Sequence, residues 1–170
     1  MVNCSKEKKG KQPTTEVTTV ERGVIKNLNR TTHQSDAVFT DQKVNQLYNN
    51  YLEIKKHLVN SDPKKVRKAS KKLEKFLAQH RYEQSFEATA NLIALTRDLQ
   101  KQRDFFKTLT EETQKVITTS TIISGKIYLQ FCPAVFEGEG GYWLSDSKEI
   151  RNPYYGFKNL EYGKVKAAIP

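Results

Sequence analysis

The side chains with which this 170-residue chain could bind a soft metal or attack an electrophile are Cys4, Cys132, His33, His57 and His80. Their spacing removes most of that chemistry. Two cysteines make neither a four-thiolate zinc site nor a disulfide framework. The histidines stand more than 20 residues apart, so no two share a helical face at metal-ligand spacing. There is no serine on a nucleophile elbow and no His-Glu-x-x-His. Gly138, Gly140 and Gly141 fall in a turn without the strand and helix that a nucleotide loop needs. Cys132 has no base that the sequence places beside it. These residues point away from an enzyme and leave Cys132 as the candidate metal ligand.

The elements that must position them are mostly helical. Residues 1–37 read as a flexible, basic, polar tail. Cys4, followed at once by Ser5 and a charged linker, is either an incidental exposed thiol or the lipid-bearing start of a bacterial lipoprotein whose signal sequence has been removed. From about residue 40, Val44, Leu47, Tyr48, Tyr51, Ile54 and Leu58 recur at steps of three and four, one apolar stripe of a helix. Asp62 and Pro63 stop it and start a second, with Val66, Ala69, Leu73, Phe76 and Leu77 facing inward. A third helix runs from about Tyr82 to Leu95, with Phe86, Ala90, Ile93 and Leu92 on its inner side. After a break near residues 96–98, capped by Thr96 or Asp98, a fourth carries Leu99, Phe105, Phe106, Leu109, Val116 and Ile117. Short connections predict an antiparallel up-down four-helix bundle over residues 38–120. Residues 121–170 change to β-like and turn-rich sequence and predict a β-hairpin-like aromatic flap packed on the bundle as part of the same domain.

The net charge of +10 is unevenly placed: residues 62–82 carry +6 and residues 1–35 carry +4. A nucleic-acid reader interleaves its cations with aromatic side chains, and here the aromatics lie elsewhere, so nucleic acid is not the expected partner. The cations of the second helix, among them Lys64, Lys68, Lys71 and Lys75, form either a solvated face or a contact for an anionic surface. The mean hydropathy is −0.72, and no apolar run approaches the ~20 residues a membrane-spanning helix needs. That argues against an integral membrane protein. Eight Phe, eight Tyr and one Trp nonetheless supply the bulk of a folded core.

The densest motifs are Tyr128-Leu-Gln-Phe-Cys-Pro-Ala, then Gly141-Tyr-Trp-Leu-Ser-Asp-Ser-Lys-Glu-Ile-Arg-Asn-Pro-Tyr-Tyr-Gly, then Asn159-Leu-Glu-Tyr-Gly. In these the chain resembles a bacterial cell-envelope domain of uncharacterised function. That domain occurs alone, often as a lipoprotein, or fused to periplasmic adaptor subunits of copper and silver efflux pumps. The resemblance spans roughly residues 38–167. It implies a non-enzymatic accessory binding protein, periplasmic or anchored to the outer membrane of a Gram-negative bacterium, with envelope efflux or metal-handling proteins as partners. Anchoring would run through a lipid on Cys4.

The family pattern has Cys-Pro-Met at the first motif and Met-Leu-x-Cys-Gly at the last. Cys132 and Pro133 match, whereas Ala134, Asn159 and Tyr162 replace the other three sulfur positions. Cu(I) favours thiolate and thioether ligands. Cys132 is therefore either the remaining ligand of a weakened or partner-completed copper site, or a buried residue of a site that has been lost. If the family cysteines pair as a disulfide, Cys132 lacks that partner too. Tyr142, Trp143, Tyr154 and Tyr155 are either the floor of a ligand pocket or core packing for the flap. Arg151 and Asn152 are expected to fix its loop by hydrogen bonds or to contact a ligand. The alternative function is an interaction module that uses the basic second helix and the aromatic flap to contact an anionic surface or a partner protein.

Overall fold

A computed structural model describes residues 27–32 and 36–170. Its helices are α1 (Gln42–Val59), α2 (Pro63–Gln79), α3 (Gln84–Leu95) and α4 (Leu99–Thr118). Local chemistry sets three of the four starts. Asp41, Asp62 and Asp98 each accept a free backbone N–H of the first turn, from Lys43 at 2.7 Å, Lys65 at 3.0 Å and Lys101 at 2.9 Å. Pro63 follows its cap at the first helical position of α2, where the missing N–H costs no hydrogen bond. α3 has no side-chain cap.

Each helix packs on the next, and α4 closes the bundle against α1. The connections are three or four residues long, which forces neighbouring helices antiparallel. The stripes read from spacing form the core. Leu47, Tyr51, Ile54, Leu58, Val66, Leu73, Leu77, Ile93, Phe106 and Leu109 are fully inaccessible. Leu92 is the correction. It is 46% exposed, because α3 is apolar on more than one face and Phe86, Ala90 and Ile93 already fill the inward side.

A two-residue strand β1 (Val38–Phe39) pairs antiparallel with β2 (Ile122–Ser124), bracketing the bundle. Beyond it, β3 (Ile127–Cys132), β4 (Gly141–Ser145) and β5 (Lys164–Ile169) form a three-stranded antiparallel sheet in the order β4-β3-β5. The expected hairpin is thus the β3–β4 pair, with Gln130 opposite Trp143 and Cys132 opposite Gly141. The third strand escapes sequence reading because its Lys164-Val-Lys-Ala-Ala-Ile stretch is exposed almost throughout and joins chiefly by backbone pairing, with Ile169 alone reaching the core.

The sheet lies on α4 through β4 and is bonded to α1 through Tyr51 and Lys55. Residues 27–32, assigned to the tail by sequence, reach the folded body. Leu28 N–H donates to Asn60 Oδ1 at 2.9 Å, and the Thr32 backbone and hydroxyl donate to Glu149. No helix among the described residues is long and apolar enough to cross a membrane.

Candidate functional site

The flap residues come together as a packed, hydrogen-bonded wall. Trp143 is fully buried, and its Nε1–H donates to Gln130 Oε1 at 2.6 Å. Gln130 Nε2 in turn donates to the carbonyls of Ser147, Lys148 and Glu149 at 2.8, 3.2 and 3.2 Å. One buried amide therefore anchors the indole on one side and the following loop on the other. Tyr154 stands edge-on to Trp143 at 6.0 Å and to Phe106 of α4 at 6.0 Å, and its hydroxyl donates to the Tyr142 carbonyl. Tyr142 itself points away from this wall, 42% exposed and against Phe131 at 4.6 Å.

Asn152 is fully buried and makes three side-chain hydrogen bonds. Its Oδ1 accepts from Tyr154 N–H at 2.8 Å and Tyr155 N–H at 3.1 Å, and its Nδ2 donates to the Tyr162 carbonyl at 2.6 Å. Arg151 donates to the Ile150 carbonyl at 2.9 Å and to Glu149 at 3.3 Å, with Glu161 at 3.7 Å. Both side chains fold the loop back on itself.

Cys132 is a free thiol at the end of β3 with no exposed surface. Of the other family sulfur positions, Ala134 and Tyr162 meet through Tyr155. Its hydroxyl donates to the Ala134 carbonyl at 3.0 Å, and its ring lies 6.1 Å from that of Tyr162. Asn159 is exposed. Among the described residues no group of three or more His, Cys, Asp or Glu converges as a metal site would require. His57 is bonded to Glu53 at 2.9 Å, and His80 to the Phe76 carbonyl at 2.8 Å. Cys4 and His33 lie outside the described residues.

Sequence reading missed a buried polar latch between α1 and the sheet. Lys55 has no exposed surface, and its Nζ donates to Ser145 Oγ at 3.0 Å, with Asp146 at 3.8 Å. Burial lowers its pKa to about 8, against the pull of the Asp146 carboxylate. Beside it, Tyr51 shares a hydrogen bond with Thr110 at 2.9 Å and accepts the Leu144 N–H at 3.0 Å. Burial pushes the phenols of Tyr48, Tyr51 and Tyr154 up. The signal was present: Lys55 falls four residues after Tyr51 and three before Leu58, on the apolar stripe.

The anionic-surface candidates converge. Lys64, Lys68, Lys71 and Lys75, with Arg67 and Lys72, line one groove of about 710 Å³ between α2 and α3, closed by Ala94 and Leu95. Arg67 reaches across, donating from Nε to the Ala94 carbonyl at 3.0 Å. Lys71 pairs with Glu74 at 2.7 Å. Lys64, Lys68, Lys72 and Lys75 have no ion pair among the described residues. Leu95 is 65% exposed and sits at the edge of these cations.

Fold and surfaces thus define a four-helix bundle carrying a small antiparallel sheet on α4 and α1 and a cationic groove between α2 and α3. Within that class, residues 47–125 match the model of a family described as a protein of unknown function, DUF3347. The match begins inside α1 and ends just after β2, so it covers the bundle and stops before the aromatic flap. No curated protein and no solved structure matches the chain.

Proposed function

We propose that this chain is a non-enzymatic accessory protein of the bacterial cell envelope that docks on an anionic lipid surface through its α2–α3 face. The observation that carries the reading is the convergence of six cations on one groove, five of them without an ion-pair partner among the described residues. An unpaired lysine near an anionic bilayer contributes about 1 kcal/mol. Leu95, exposed beside Ala94 at the rim of the groove, gives the same face an apolar side chain that can sink among headgroups. The sheet packs on α4 and is bonded to α1 rather than to this face. The envelope setting comes from the resemblance of the flap motifs, and with it the association with efflux machinery as partner. The reading places no weight on bound copper, because Cys132 is inaccessible and Ala134, Asn159 and Tyr162 supply no sulfur.

Co-sedimentation with vesicles tests it. Vesicles containing phosphatidylglycerol should bind the protein, pure phosphatidylcholine vesicles should not, and added salt should release it. Reversing Lys64, Lys68, Lys71 and Lys75 to Glu should abolish binding. Leu95→Ser should weaken it without changing the salt dependence. Undiminished binding by the charge-reversed protein overturns the proposal. Preference for a soluble polyanion over vesicles, indifferent to Leu95→Ser, reassigns the groove to a polymer.

A further inference from the structure

A second concavity lies on the other side of the molecule, between the start of α4 and the flap. It is a cleft of about 260 Å³ whose walls include Gln100, Arg103, Ala134, Phe136, Tyr155 and Lys158. Two cations line it and no carboxylate does.

Arg103 is the unusual member. It is only 6% exposed, yet each of its acceptors is neutral: the Pro153 carbonyl takes Nε–H at 2.9 Å, and the Leu58 carbonyl and Ser61 Oγ take Nη2 at 3.3 and 3.1 Å. Nη1 takes part in none of these bonds, and no acidic side chain pairs with the guanidinium among the described residues. Burial alone lowers its pKa, with no carboxylate acting against it. A guanidinium stays charged at any pH a cell reaches, so its burial without a counter-ion is a standing cost that a bound anion would relieve.

The rest of the cleft selects the shape of that anion. Tyr155 has its hydroxyl committed to the Ala134 carbonyl, leaving the ring to the cleft, and the small Ala134 side chain leaves the space open. Phe136 is held there by a backbone turn in which it and Glu137 both adopt positive φ, 54° and 56°, a conformation that costs non-glycine residues energy.

We propose that this cleft binds a small organic carboxylate, its charge on Arg103 and Lys158 and its flat apolar body against Tyr155 and Phe136. A carboxylate matches the planar guanidinium edge and adds charge-assisted hydrogen bonds. The site is independent of the α2–α3 face and stands or falls separately.

The test is an amide NMR titration of the full chain with benzoate as probe. Benzyl alcohol, the same body without the charge, and inorganic phosphate, charge without the body, serve as controls. Benzoate is expected to shift the Ala134, Val135, Phe136 and Tyr155 amides saturably, at least about tenfold tighter than either control. Arg103→Lys should lose that preference, but it also disturbs the Pro153 and Leu58 contacts. Ala134→Phe is the cleaner variant: it fills the cleft from an exposed position, leaves Arg103 in place, and should abolish the shifts without altering the thermal melt. Three results each overturn the proposal: phosphate binding as tightly as benzoate, Ala134→Phe binding normally, or no saturation below ~10 mM.

Discussion

Lys55 shows how a single residue can escape a pattern and still obey it. Its position places it on the buried stripe, but its type suggests a solvent-facing residue, and only the arrival of Ser145 and Asp146 from the sheet gives its ammonium partners. Its folded-state pKa of about 8 lies below the ordinary lysine value. Between pH 8 and 10 the unfolded chain therefore keeps a proton that the folded chain releases. Stability should rise with pH across that window, by up to about 1.4 kcal/mol per unit. Above pH 10 the trend should reverse, because Tyr48, Tyr51 and Tyr154 hold their protons in the fold after unfolded tyrosines have ionised. Lys55→Met should flatten the rise between pH 8 and 10. Urea unfolding of both proteins at one-unit pH intervals checks this, and a wild-type curve already flat in that window contradicts it. Arg103 obeys the same logic: it stands three residues before Phe106 on the buried stripe of α4, with its neutral acceptors supplied by Leu58, Ser61 and Pro153.

Helices were the legible elements. The start read at Asp62 appears as a bonded cap, and of Thr96 and Asp98 it is Asp98 that caps α4, because a cap needs only residues within one turn. Asp62→Ala should cost about 1 kcal/mol of stability at neutral pH. The backbone N–H of Lys65 holds the Asp62 carboxyl below its usual pKa. Its contribution is therefore complete above the unfolded carboxylate value and fades as pH falls. Thermal melts of wild type and variant should start to converge below about pH 4 and meet as pH falls through the lower folded-state value; a gap that does not narrow in that range would show that the charge is not the source. The strands were less legible. β3 and β4 carry aromatic and β-branched side chains that mark them, whereas β5 is defined by its backbone bonds to β3, across a bulge between Leu129 and Gln130. Leu92 was placed inward because periodicity says which residues are apolar, and α3 is apolar on more than one face.

At the scale of the whole molecule, sheet and bundle are joined through buried polar bonds as well as packing: Tyr51 to Leu144, Lys55 to Ser145, and Arg103 to Pro153. They should therefore unfold together. Trp143, the single tryptophan, reports on the sheet, and far-ultraviolet circular dichroism reports on the helices. The two signals should give coincident denaturation curves, and a sheet that melts first would show that these clamps do not couple the parts. The sequence by itself determined the four helices, the Asp62 cap, all of their core stripes but Leu92, and the concentration of charge on α2, because each depends on spacing within a few turns of one segment. Only the tertiary structure decided that Trp143 is core held by Gln130, that Cys132 is sealed, and that Lys55 and Arg103 are buried cations. It also decided that the lysines of α2 meet the exposed Leu95 of α3 in one groove. Those facts depend on which distant segments come to lie against each other, and spacing along one chain segment carries no information about the partner that packs against it.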